Sequence, residues 1–181
     1  DVYKRQVISG GASGLGFATA ARLAGAGARV AILDVNEVTG KAAAASIGGL
    51  FIPTDVTDPQ SVAAALDTAR AAHGVERICI SCAGIAPAAK TVSRGAAHDP
   101  ALFAKVVSIN LVGSFNLASQ CAAAMIANTP QGPDGVRGVI VHTASVAAYD
   151  GQIGQAAYAA SKGGVAGLIL PMARDLADKA V

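Results

Sequence analysis

The chain is short of charge. Only 14% of its 181 residues are Asp, Glu, Lys or Arg, and the formal net charge is +2. The few Lys and Arg form no run, which argues against a dedicated nucleic-acid or membrane surface. Cysteine is scarce as well. Cys79, Cys82 and Cys121 make no disulfide framework and are expected to be reduced in an intracellular, cytoplasmic protein. The native start is not visible, which leaves an organelle-targeting peptide open. His73, His98 and His142 show no ligand spacing. No metal site is read from them, and each is expected in a loop or at a sheet end. The longest apolar stretches are interrupted by Lys162, Asn116 or Gln120, so no transmembrane helix is read. There is no internal repeat and no linker.

Hydrophobic residues, by contrast, make up 52% of the chain, much of it Ala with 21 Gly. The length suffices for one domain with a sizeable core. This composition suits a parallel sheet buried by helices on both faces. Short apolar runs end at Ser9, Asp34, Ile52, Ser81 and His142, with helical patterns between them. Strand and helix alternate throughout, which predicts an α/β fold of βαβ units with right-handed crossovers. The helix over about 100–128 is expected to be interrupted near Asn110. Pro171 is expected to kink or break the last helix.

Both ends are expected to be unnatural. Residues 1–6 form a polar hexapeptide where a buried first strand should begin. Its back-translation resembles the transposase end sequence of sequencing libraries, so residues 1–6 are expected to be adapter-derived and non-native. At the other end, Val181 comes directly after a helix, where a further strand is due. The expectation is a domain over 7–181 that is incomplete at its C-terminus. Alone it would be unstable or prone to aggregate, with its fifth strand left as an exposed apolar edge.

Three features carry chemistry. Gly10, Gly14 and Gly16 stand between a strand and a helix, where glycine lets the backbone approach a pyrophosphate at the helix N-terminus. Asp34 ends the second strand; a carboxylate there accepts the adenosine ribose hydroxyls and repels a 2′-phosphate, which favours NAD over NADP. Asp55, after the third strand, is placed to accept from the adenine amino group. Tyr158 and Lys162 are four residues apart on a predicted helix, so phenol and ammonium share a face. The cation and the helix start both favour the phenolate. Ser145 precedes the tyrosine by thirteen residues. Asn110 is either a polar residue packed at an interface or one that bends its helix and holds water.

Together these residues resemble the short-chain dehydrogenase/reductase family. The matching elements are Ser9-Gly10-x-x-x-Gly14-x-Gly16, Asp55-Val56, Cys82-Ala83-Gly84, Asn110, Ser145 and Tyr158-x-x-x-Lys162. Three positions depart from the family pattern: Ser9 replaces Thr, Cys82 replaces an Asn that ties strands together, and His142 stands where many relatives have Asn. Within the family the chain is similar to the type II 3-hydroxyacyl-CoA dehydrogenases, through runs such as 10–16, 82–86, 143–148 and 151–158.

The resemblance implies a Rossmann-type doubly wound sheet whose last two strands and substrate lid lie beyond the chain. It implies an NAD-dependent oxidoreductase that interconverts a secondary alcohol and a ketone on a small-molecule substrate, an acyl-CoA. The cofactor would be held by Ser9, Gly10, Ser13, Gly14, Leu15, Gly16, Asp34, Asp55, Val56, Cys82, Ala83 and Gly84, with Tyr158 and Lys162. Tyr158 would be the acid–base group, and Lys162 would lower its pKa. Ser145 would hold the substrate oxygen, Asn110 would hold a water behind Lys162, and Gln152 would touch the substrate. A homotetramer or homodimer is implied. Steroids or other small secondary alcohols are alternative substrates. A non-catalytic nucleotide-binding regulatory protein is an alternative of another class, although it would need neither Ser145 nor Tyr158.

Overall fold

The computed structural model describes residues 5–181; the first four residues of the suspected adapter lie outside the described residues. Five parallel strands form the central sheet: β1 (Arg5–Ser9), β2 (Arg29–Asp34), β3 (Leu50–Pro53), β4 (Ile78–Ser81) and β5 (Val139–His142), in the order β3-β2-β1-β4-β5. Strand β1 begins at Arg5, two residues before the first expected apolar position. Arg5 pairs with Arg29, and Gln6 pairs with Val30 and Ile78. The helices are α1 (Gly14–Gly25), α2 (Glu37–Ile47), α3 (Pro59–His73), α4 (Pro100–Val107), α5 (Gly113–Met125) and α6 (Ala156–Leu176).

Both sheet faces are covered. On one, Ile8, Val30, Ile32 and Ile80 pack with Ala20 of α1 and Ala43 and Ala44 of α2. On the other, Val7, Ala31, Leu33 and Cys79 pack with Val62 and Leu66 of α3 and Leu117, Cys121 and Met125 of α5. Consecutive strand residues are therefore buried on opposite faces, which is why the strands read as unbroken apolar runs. Each fully buried Leu or Ile contributes about 1.5–3 kcal/mol.

Helix starts follow the expected chemistry. The side chains of Asn36, Asp58 and Asp99 accept from the backbone N–H groups of Thr39, Gln60 and Ala101. Pro59 and Pro100 occupy the first position of their helices. Between α4 and α5 the helix widens into a π-turn, Ser108–Val112, centred on Asn110, so the predicted interruption is present. By length and apolarity alone the run Pro100–Met125 would suffice to cross a bilayer. Here one side of it, including Leu117 and Cys121, packs on the sheet.

Two expectations are corrected. Helix α6 runs unbroken through Pro171. The carbonyl deprived of its partner there belongs to Gly167, which is exposed and can turn to water. His73 is not in a loop but is the last residue of α3; His142 does end β5, and His98 lies in a loop against the Phe103 ring. The segment 84–98 contains a two-rung antiparallel ladder, Val92–Ser93 with Ala96–Ala97.

Candidate active site

The C-terminal ends of β1, β2 and β4 open onto a cleft of about 630 Å³. Its floor is the turn from β1 into α1. Gly10 has φ +64, and a Cβ there would lie 2.6 Å from the Ala83 nitrogen, so only glycine lets this turn meet the end of β4. Gly14 has φ +53 and open space where a Cβ would be. Ser13, Leu15 and Gly16 line the cleft with these two. Ser13 precedes α1 without a side-chain capping bond, and the first turn holds no acid. The positive helix end is thus left open to an anion.

Asp34 and Val35 close one end of the cleft. The Asp34 carboxylate accepts from the Ala12 N–H at 3.1 Å and the Asn36 N–H at 3.0 Å. Each oxygen keeps a lone pair facing outward. Asp55 and Val56 line the wall with Thr57. One Asp55 oxygen is occupied by the N–H and hydroxyl of Thr57, at 2.9 and 2.7 Å, and the other remains for a ligand. The Val56 carbonyl is held by the Asn116 amide. Cys82, Ala83 and Gly84 complete the opposite wall. An adenine dinucleotide fits this cleft: an open helix N-terminus for its phosphates lies beside a held carboxylate for its ribose.

Three of the expected cofactor residues, Ser9, Tyr158 and Lys162, do not line this cleft. Ser9 is 1% exposed; its hydroxyl instead accepts from the Ala83 N–H at 3.4 Å. It braces the turn. Cys82, where the family pattern has Asn, brings its Sγ to 3.3 Å from the Thr143 hydroxyl of the neighbouring strand's end. A thiol–hydroxyl contact thus spans β4 and β5 where an amide is missing.

Ser145, Tyr158 and Lys162 lie on two elements that pack together, the turn after β5 and α6. Ser145 precedes a short 3₁₀ turn, Val146–Ala148, and its Oγ accepts from the Ala147 N–H at 3.2 Å, which leaves the hydroxyl proton to donate. Helix α6 packs on that turn. Lys162 is 6% exposed, and its Nζ lies 5.8 Å from the centroid of the Tyr158 ring and donates to the Thr143 carbonyl. Burial holds its pKa below the ordinary lysine value, against a small opposing effect of Cys82. The backbone of Thr143 is thus a site element that sequence reasoning missed, and a main-chain acceptor leaves no signal in residue type. Lys105, Ser108 and Ile109 also line the cleft without having been expected there.

Asn110 is fully buried. Its side chain accepts from the Ile85 N–H at 2.8 Å and donates to the Ile85 carbonyl at 2.9 Å and to Ser161 Oγ at 3.0 Å. The amide thus pins the segment after β4 to α6. Its main-chain carbonyl accepts from the Ser114 hydroxyl at 2.7 Å. Gln152 lies apart from the dinucleotide cleft. It lines a second cavity, about 420 Å³, with Lys90, Ile153 and Gln155, next to the start of α6.

Residues 4–181 match the profile of the short chain dehydrogenase family, and the chain belongs to that family of NAD(P)-using oxidoreductases. Among its relatives, 3-hydroxyacyl-CoA dehydrogenase type-2 of Homo sapiens is 49% identical over 175 residues, covering 94% of this chain and 67% of that protein. (+)-Borneol dehydrogenase 1 of Salvia officinalis is 37% identical, covering 96% of this chain and 64% of that protein. The crystal structure of 3-hydroxyacyl-CoA dehydrogenase type-2 from Mycobacterium avium superimposes with a TM-score of 0.91 at 41% identity, over 97% of this chain and 70% of that one. The chain thus spans about two thirds of the length of these relatives.

Proposed function

We propose that this protein is an NAD-dependent 3-hydroxyacyl-CoA dehydrogenase, interconverting 3-hydroxyacyl-CoA and 3-oxoacyl-CoA. The observation that carries this reading is the seat of Lys162, buried against Tyr158 beside a cleft whose end is set by Asp34. The acyl-CoA assignment is supported by the relatives named for that substrate at 49% identity. NAD is favoured over NADP because the outward lone pairs of Asp34 suit two ribose hydroxyls and repel a phosphate.

Bound in the cleft, the dinucleotide supplies the hydride donor or acceptor. Everything else falls to side chains of this chain. Tyr158 takes the proton of the alcohol in oxidation and returns it in reduction. Lys162 favours the phenolate, since a cation beside a phenol stabilises its charged form. Ser145 donates its hydroxyl hydrogen to the substrate oxygen as charge develops there. Asn110 holds the segment after β4 against α6, and its carbonyl is the atom through which it would hold a water. Gln152 borders the side from which substrate would enter. A dimer or tetramer through α4, α5 and α6 is supported by exposed Phe103, Phe115, Ile169 and Leu170 on those helices.

A dehydrogenase of steroids or other small secondary alcohols is the second reading, favoured by the identity to a borneol dehydrogenase. Following NADH absorbance with acetoacetyl-CoA, camphor and a 17-ketosteroid separates these readings. The proposal expects the highest kcat/KM with acetoacetyl-CoA. A preference for camphor or the steroid would shift the assignment to that class. NADH binding without turnover of any substrate would make it a nucleotide-binding regulator.

A further inference from the structure

His142 ends β5, immediately before the Thr143 carbonyl on which Lys162 is seated. Ile140, two residues earlier and on the same strand face, packs against the core cluster of α3 and α5. His142 is therefore placed on the sheet face covered by α3 and α5, and its chain neighbour Thr143 supplies the carbonyl that accepts from Lys162. Both of its ring nitrogens are buried without a hydrogen-bond partner, and so is the hydroxyl of Ser81, its Cα partner on β4. Ser81 is uncharged, and among the described residues the charge felt by the ring is that of Lys162. Burial and then Lys162 hold the imidazole below its ordinary pKa.

We propose that His142 is a positioning residue for Lys162: as a neutral ring it leaves the ammonium on the Thr143 carbonyl, and as an imidazolium it drives the ammonium off. An imidazolium carries two N–H donors and needs two acceptors; neither nitrogen has one here. A second cation in a half-buried site also repels the first far more strongly than it would in water. Protonation must therefore be relieved by moving the ring or the ammonium. The ammonium ends a flexible four-carbon stem, so it is the group that gives way, and its seat on the Thr143 carbonyl is lost. The consequence for catalysis rests on the role proposed for Lys162; the coupling between the two side chains does not.

The chain has three histidines, so ring-labelled protein gives three titration curves, and His142→Asn identifies one by its loss. His142 is expected to titrate below the ordinary histidine range and to move up in Lys162→Met. An unmoved His142 in a Lys162→Met protein with a native circular-dichroism spectrum would overturn the coupling. If Lys162→Met does not fold, Lys162→Gln replaces it. In a second arm, NADH affinity is measured by fluorescence from about pH 8 to about pH 5. Wild type is expected to weaken along the His142 curve and His142→Asn to lose that dependence; the same dependence in both would overturn the proposal. If NADH binds at no pH, the dehydrogenase reading fails, while the ring titration still decides the coupling.

Discussion

Asp34 spends one lone pair of each carboxylate oxygen on the backbone, at Ala12 and Asn36, and keeps its charge for the cleft. Asp34→Asn keeps the shape and loses that charge. We expect it to bind NADH roughly tenfold more weakly, the loss of one charge-assisted hydrogen bond, and to narrow the gap between NADH and NADPH. Calorimetric titration with both nucleotides checks this. Asp34, Tyr158 and Lys162 could be picked out as candidates in the sequence because the roles proposed for them need a side chain that only one or two residue types supply. Thr143 could not, because a carbonyl is common to every residue. Ser9 was assigned to the cofactor from its place in the motif, yet its hydroxyl turns inward to Ala83; the motif gives the position and not the direction of the side chain.

At the level of elements, the π-turn at Ser108–Val112 sets the site as firmly as any single side chain. It places Asn110 so that one amide bonds both Ile85 and Ser161, joining the wall of the cleft to the helix of Tyr158. Asn110→Ala leaves the part-buried backbone groups of Ile85 without their partner, at about 1 kcal/mol for each. A lower denaturant midpoint, with NADH affinity falling alongside, is the expected outcome. An asparagine inside an apolar helix pattern foretold an irregularity; its π geometry was not readable, because it depends on what Asn110 finds across the fold. Pro171 shows the reverse case. Propensity predicted a kink or a break in α6, and the helix is not broken, because the carbonyl the proline strands is at an exposed glycine.

For the whole molecule, the parallel sheet and the two-sided core followed from unbroken apolar runs alternating with helices, and both are present. Strand β5 ends the sheet among the described residues, with Val139 37% and Val141 45% exposed. Such an edge invites pairing with another chain. Val141→Lys is expected to reduce self-association, read as a smaller average mass by light scattering at the same concentration. Stability should also depend on pH. His73 and His142 are both held below their ordinary value of 6.5, so the unfolded chain takes up protons first as pH falls through that value. Their stability contribution is present above about 6.5 and is lost below it. A lower melting temperature at about pH 5 than at about pH 7.5 is expected, with His142→Asn recovering part of the difference.

The central claim is that the Tyr158 hydroxyl carries the proton while hydride moves to or from NAD. Tyr158→Phe removes that hydroxyl and leaves the ring beside Lys162. With acetoacetyl-CoA and NADH, turnover is predicted to fall by about 10²–10⁴-fold with NADH affinity nearly unchanged. Turnover within a few-fold of wild type would contradict the account.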